Sequence, residues 1–213
     1  MKRFGYIAVI AMLAGTVVAT TPAVSQAATL KCKVTKAVAH TAKVVKKPAT
    51  ATKGVNGKIT FVTNCGNIVI TTFGKKAPNT VHTLGVLAKA GFFNASLCHR
   101  LTTSGLYVLQ CGDPGANGMG GPGWNYADEN LPKSIANNYP AGTVAMANSG
   151  ANTNGSQFFL VFGNTTLNPY YTIWGQITSG LDIVKAIAAK GVVGGGGDGT
   201  PLQTVAIEKV IVS

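Results

Sequence analysis

Between Lys58 and Ser213 the chain is cut into short β-branched runs by glycine, proline and asparagine, and this punctuation excludes most architectures. Ile59–Thr63 and Ile68–Phe73 are two such runs, and Asn64-Cys-Gly-Asn67 between them is a turn signal for paired strands. Further strands are expected at about 96–101, 107–111, 143–147, 157–162, 172–178 and 203–212. Two stretches break the pattern. Pro78 opens a helix in which Val81, Leu84, Leu87 and Ala88 recur at helical spacing, and Gly91 stops it. A second helix spans about 181–190, with Ile183, Val184, Ile187 and Ala188 on one face and Gly191 as its cap. Strands and helices do not alternate, which argues against a doubly wound parallel sheet. The expectation is a mainly β fold: a closed eight-stranded antiparallel β-barrel capped by two α-helices. The 27 glycines in 213 residues suit such a turn-rich fold.

The net charge of +12 is unevenly placed. Lys31, Lys33, Lys36, Lys43, Lys46, Lys47, Lys53 and Lys58 share a stretch without an acid, and Lys2 and Arg3 lie at the N-terminus. Removing these ten from the 18 basic residues leaves eight against six acidic ones, so the body is near neutral. The charge is therefore no argument for nucleic acid as a partner. Lys2 and Arg3 precede an apolar run from Phe4 to Ala19, and Ser25 and Ala27 fit a small-x-small cleavage site. Residues 1–27 read as a signal peptide or N-terminal anchor, and the protein as exported to the cell envelope or beyond. Residues 28–57 read as a flexible basic linker, a spacer in preference to an adhesive for anionic surfaces.

Four cysteines, an even number, invite disulfides in an exported protein. Cys98 and Cys111 flank an expected hairpin and could face each other across it; a Cys32–Cys65 bond would then pin the linker. All three pairings remain open at this level. Gly118-Met-Gly-Gly-Pro-Gly123 fits a dinucleotide-binding spacing, but no helix follows it and Pro122 opposes one. Gly194–Gly197 lacks the Lys-Ser/Thr ending of a phosphate loop. No zinc-protease or serine-hydrolase motif is present, and nothing points to a cofactor or a metal.

Two segments stand out. One is Cys98-His-Arg-Leu followed by Tyr107-Val-Leu-Gln-Cys-Gly-Asp-Pro114; the other is Met146-Ala-Asn-Ser-Gly-Ala-Asn-Thr-Asn-Gly-Ser-Gln-Phe-Phe159. Together they resemble the signature of the cyclophilin-type peptidyl-prolyl cis-trans isomerases, and the resemblance covers about residues 58–213. It implies an isomerase acting on proline-containing segments; the expected leader makes these segments of exported or surface proteins, and the fold argues for a monomer. Such a reaction breaks no bond. It rotates an amide whose barrier is about 18–20 kcal/mol. A fixed cationic donor near the proline nitrogen would favour the twisted amide, where the nitrogen lone pair localises.

The resemblance makes Arg100 the catalytic arginine and Gln110 a hydrogen-bond partner of the substrate main chain. Tyr107, Val108 and Phe159 would line the proline pocket with Leu167. Asn148 would pair its backbone with the substrate, with Ala147 and Ser149 beside it. Gln157 would lie at the pocket edge, Gly118 would shape a neighbouring groove, and His99 would give structural support. Three departures from the family pattern bear on activity: a turn after Arg100 about two residues longer than in many relatives, Thr166 where some members carry tryptophan, and Tyr171 where histidine is common. These leave a second expectation in play, a non-catalytic module that grips proline peptides on the same barrel.

Overall fold

The structure, a computed structural model, describes Met1 and residues 30–213, so the expected leader falls outside the described residues apart from Met1. Ten strands and two helices follow in the order β1 (Lys58–Thr63), β2 (Gly66–Thr72), α1 (Pro78–Lys89), β3 (Ser96–Leu97), β4 (Arg100–Ser104), β5 (Leu106–Cys111), β6 (Thr143–Met146), β7 (Phe158–Val161), β8 (Ile173–Ser179), α2 (Leu181–Ala188), β9 (Asp198–Gly199) and β10 (Ala206–Val212). They form one sheet in the order β3-β10-β1-β2-β8-β6-β7-β5-β4-β9, with every ladder antiparallel.

Mainly β, antiparallel and two-helix, the architecture is the expected one. Two details differ. The strand expected at 96–101 divides into β3 and the start of β4, and β9, which has no expected counterpart, is only two residues long, too short for a periodic signal. The ladder also does not run full circle: β3 and β4, neighbours in the chain, end up toward opposite edges of the curled sheet. The chain itself crosses that seam at Cys98 and His99.

Alternation decides what fills the interior. In β1 the buried positions are Ile59, Phe61 and Thr63. Phe61 stacks on Phe158 at 4.8 Å, and Trp174 meets Phe158 edge-on at 5.9 Å. Leu101, Leu109, Val144 and Leu160 join this cluster, as do Leu84 and Leu87 of α1 and Val184 and Ile187 of α2. Each such side chain, fully buried, stabilises the fold by about 1.5–3 kcal/mol. A smaller cluster of Val108, Tyr139, Ala145, Phe159 and Val161 gathers separately. Its strand members alternate with those of the first, so it lies on the other face of β5, β6 and β7.

Helix α1 has Pro at its first turn and no side-chain cap of its own. Glu129, fifty residues on, replaces it: its carboxylate accepts the N–H groups of Asn79 (3.0 Å) and Thr80 (2.8 Å) and the Thr80 hydroxyl (2.7 Å).

The flexible linker expected over 28–57 is corrected in its described part. Residues 30–57 have no helix or strand, but they lie against the body as a strap. A Cys32–Cys65 disulfide fixes one end. Lys33 N–H donates to the Asn64 carbonyl (2.8 Å) and His40 N–H to that of Pro114 (2.9 Å). Lys43 Nζ donates to the Ala90 carbonyl at the end of α1 (2.6 Å), where a cation is favoured. Trp124 Nε1 donates to the Val45 carbonyl (2.8 Å). Leu30, Cys32, Ala42 and Val45 pack on the core. The lysine-rich composition conceals these contacts because the backbone and small apolar residues make most of them.

Candidate active site

A row of residues crosses the sheet on its outer face. Arg100 of β4 stands opposite Gln110 of β5, and Gln110 opposite Phe159 of β7. Register alone therefore places a guanidinium, an amide and an aromatic ring side by side. Around them Val108, Leu106, Ala147, Leu167 and Tyr171 close a pocket of about 170 Å³, with Asn148 at its margin. Val108 and Phe159 are almost fully buried beneath it.

The pocket's far wall is a loop, and residues 138 and 139 hold it. Asn138 Nδ2 donates to the Leu167 carbonyl (2.7 Å), and its Oδ1 accepts the Leu167 N–H (3.0 Å), an amide copy of strand pairing. The Tyr139 hydroxyl bonds to the Tyr171 backbone, and the rings of Tyr139, Phe159 and Tyr171 pack within 5.6–6.2 Å of one another. Burial pushes the Tyr139 hydroxyl up to about 12, so it keeps its proton.

A chain of polar contacts runs along the rim. Arg100 Nη1 donates to Gln110 Oε1 (3.3 Å), Gln110 Nε2 to Gln157 Oε1 (2.8 Å), and Gln157 Nε2 to the carbonyls of Gly118 and Gly120 (2.9 Å each). The glycine loop wraps Asp113, which has no exposed surface. Its carboxylate accepts the N–H groups of Gly115 (2.8 Å), Asn117 (3.1 Å) and Gly118 (2.8 Å). Burial pushes Asp113 up, but the backbone N–H groups of Gly120, Gly115, Gly118 and Asn117 outweigh it and hold the carboxyl below its ordinary value. A Cβ on Gly120 would collide with that carboxylate. On the other side of Arg100, the Asp198 carboxylate accepts from Nε (2.8 Å) and Nη2 (2.6 Å).

The sequence profile of the family described as cyclophilin type peptidyl-prolyl cis-trans isomerase/CLD matches residues 58–212. The chain belongs to this family. It is 44% identical over 183 residues to the probable peptidyl-prolyl cis-trans isomerase B of Mycobacterium tuberculosis, covering 79% of this chain and 59% of that protein. It is 42% identical over 195 residues to the protein of the same name from Mycobacterium leprae, covering 85% and 66%. The chain thus spans about three fifths to two thirds of the length of these relatives. A crystal structure of a Cryptosporidium parvum cyclophilin-type isomerase shares the fold, with a TM-score of 0.65 at 23% identity over 75% of this chain and 98% of that one.

In this cyclophilin Arg100, Val108, Gln110, Ala147, Asn148, Phe159, Leu167 and Tyr171 converge on the pocket. Gly118, Ser149 and Gln157 line an adjoining cleft of about 640 Å³, which shares Gln110, Ala147 and Asn148 with it. The Asn148 backbone N–H and C=O have no partner among the described residues. Tyr107 is a correction. It stands on the opposite face of β5, packed edge-on against Phe162 at 5.9 Å, and Leu106 takes its place in the pocket. The parity of Gln110 and Val108 already pointed to Leu106. The long turn after Arg100 is a paired hairpin as far as Ser104 opposite Leu106. Cys98 and Cys111, which flank it, are disulfide-bonded.

His99 faces the glycine loop; a Cβ on Gly118 would lie 3.7 Å from its Nε2. Burial lowers its pKa, with Arg100 acting in the same direction and Asp113 opposing. Both ring nitrogens are buried without a partner among the described residues. Asn138, Tyr139 and Asp198 were missing from the sequence reading. Each acts through a contact made by folding, with no local pattern to reveal it.

Proposed function

We propose that the chain accelerates cis–trans isomerisation of Xaa-Pro bonds in polypeptides by a non-covalent mechanism. The carrying observation is the Arg100–Gln110–Phe159 row, which sets a permanent cation at the edge of an apolar slot. Phe159, Val108 and Leu167 fit a proline ring. Gln110 and the backbone groups of Asn148, without a partner among the described residues, suit the flanking peptide in an extended conformation. The guanidinium then meets the proline nitrogen as it pyramidalises, and this contact is stronger in the twisted amide than in the planar one. No side chain needs to change protonation.

The test is an isomerisation assay on a Xaa-Pro peptide with the full chain, both disulfides intact, against Arg100→Ala. Acceleration reduced by about 10²–10³-fold in the variant supports the reading. A folded protein that binds the peptide without accelerating it would make the chain a binding module. We further place its substrates in an oxidising compartment, since all four cysteines are paired and Lys2, Arg3 and the apolar run after them have the character of an export signal. Thiol labelling of cell fractions tests this; reduced protein in the cytosol would refute it.

A further inference from the structure

Asp198 grips the guanidinium that the proposed reaction depends on. An exposed ion pair is ordinarily worth little, and this one is 41% and 53% exposed on its two sides. Three observations set it apart. The first is its geometry: Nε and Nη2 of Arg100 each donate to a separate oxygen of Asp198, the two-pronged arrangement that fixes a guanidinium plane. The second is that Gln110 holds Nη1 from the other side. Three of the five N–H donors are then engaged within the protein, leaving two for a substrate.

The third is the way Asp198 is delivered. It lies in β9, where it stands opposite Thr102 and Gly199 stands opposite Leu101. The Gly197 carbonyl accepts the Thr103 N–H (2.8 Å). The approach is made by four consecutive glycines, 194–197. Gly194 and Gly195 have φ of +81° and +79°, which other residues adopt only with strain. A Cβ on Gly197 would press on Ser104 Cβ at 2.9 Å. Ordering a glycine run costs more backbone entropy than ordering any other sequence. Here the ordered run ends by setting one of the chain's six acidic residues against its pocket arginine.

We propose that Asp198 is a positioning residue for the isomerisation, holding the Arg100 guanidinium so that its two remaining donors face the twisting amide. This rests on the reading of Arg100 as the catalytic group. Asp198 touches no substrate; it acts through Arg100. It also ties the pocket to the glycine run 194–197, so a change in that run would reach the reaction through one side chain.

The experiment compares the full, disulfide-intact chain with Asp198→Ala, Asp198→Asn and Asp198→Glu, alone and combined with Arg100→Ala. Exchange spectroscopy on a Xaa-Pro peptide gives kcat and KM separately. The Arg100 Nε–H resonance reports side-chain order. The expected result is a fall in kcat of about 10-fold for Ala and Asn with KM within about twofold, as for a group misplaced by a fraction of an ångström. Glu should recover part of the loss, the Nε–H order should drop in Ala, and no further loss should appear on the Arg100→Ala background. Unchanged or raised kcat in Asp198→Ala overturns the proposal, as does an undiminished Nε–H order. An equal loss with or without Arg100 overturns it too, because it would mark a structural role. An inactive wild-type chain, or an Arg100→Ala variant with full activity, refutes the parent reading and the role of Asp198 in catalysis together. In the second case a loss of Nε–H order in Asp198→Ala would still show the clamp itself to be real.

Discussion

The Tyr139 hydroxyl lies 3.1 Å from the backbone nitrogen of Tyr171 and 3.1 Å from its carbonyl oxygen, accepting from the first and donating to the second. One phenol thus stands in for a strand neighbour on a loop that has none. Tyr139→Phe removes it without changing the ring packing. The expected outcome is a loss of about 1–2 kcal/mol of stability in urea unfolding, with a raised KM as the Leu167–Tyr171 segment loosens. Equal midpoints for the two proteins would mean that water replaces the hydroxyl.

Gln110 joins Arg100 to Gln157, and through it to the glycine loop. Gln110→Ala should lower kcat/KM by about 10-fold while stability moves by no more than about 1 kcal/mol. Gln157 keeps its bonds to Gly118 and Gly120 in that variant, so the loop should stay in place. A loss of stability much larger than the loss of activity would make Gln110 structural.

His99 gives stability a pH dependence. Its folded pKa is lowered, chiefly by burial, while in the unfolded chain an ordinary histidine protonates near about 6.5. Below that value the unfolded chain takes up a proton that the folded one resists. Stability therefore falls as pH drops from about 6.5 toward the folded value, then levels off with respect to this group. Urea midpoints measured across this window should fall more steeply for wild type than for His99→Gln. Parallel curves would show that His99 does not titrate differently in the two states.

The Cys32–Cys65 bond closes a loop over a sequence separation of 33, and the Cys98–Cys111 bond one over 13. Chain entropy makes the first worth about 3–4 kcal/mol. Cys32→Ser with Cys65→Ser should lower the melting temperature and let trypsin cut after Lys43 and Lys46 before it cuts the curled sheet. Equal protection in both proteins would show that the strap's hydrogen bonds suffice to hold it.

Much of the site was legible because its residues fall in two dense runs, 98–114 and 146–159, which strand pairing then brings together. The misplacement of Tyr107 came from matching positions along the motif; strand parity, counted back from Gln110, favours Leu106. Asp198 was invisible for a different reason. It meets Arg100 across 98 residues, and the short strand that carries it has no period. The strap escaped for a similar cause: its order comes from one-by-one contacts with a body that composition does not reveal. The helices were easier, because their burial repeats locally. Even so, the carboxylate that caps α1 comes from Glu129, outside any window a helix start offers.

Along β5, β6 and β7, consecutive residues belong to different clusters: Leu109 and Val108, Val144 and Ala145, Leu160 and Phe159. A single substitution at these positions therefore addresses either the framework or the ligand-facing layer. Such a division of labour gives the chain room to drift: selection could reshape the slot for new proline-flanking sequences while the scaffold beneath it goes unchallenged.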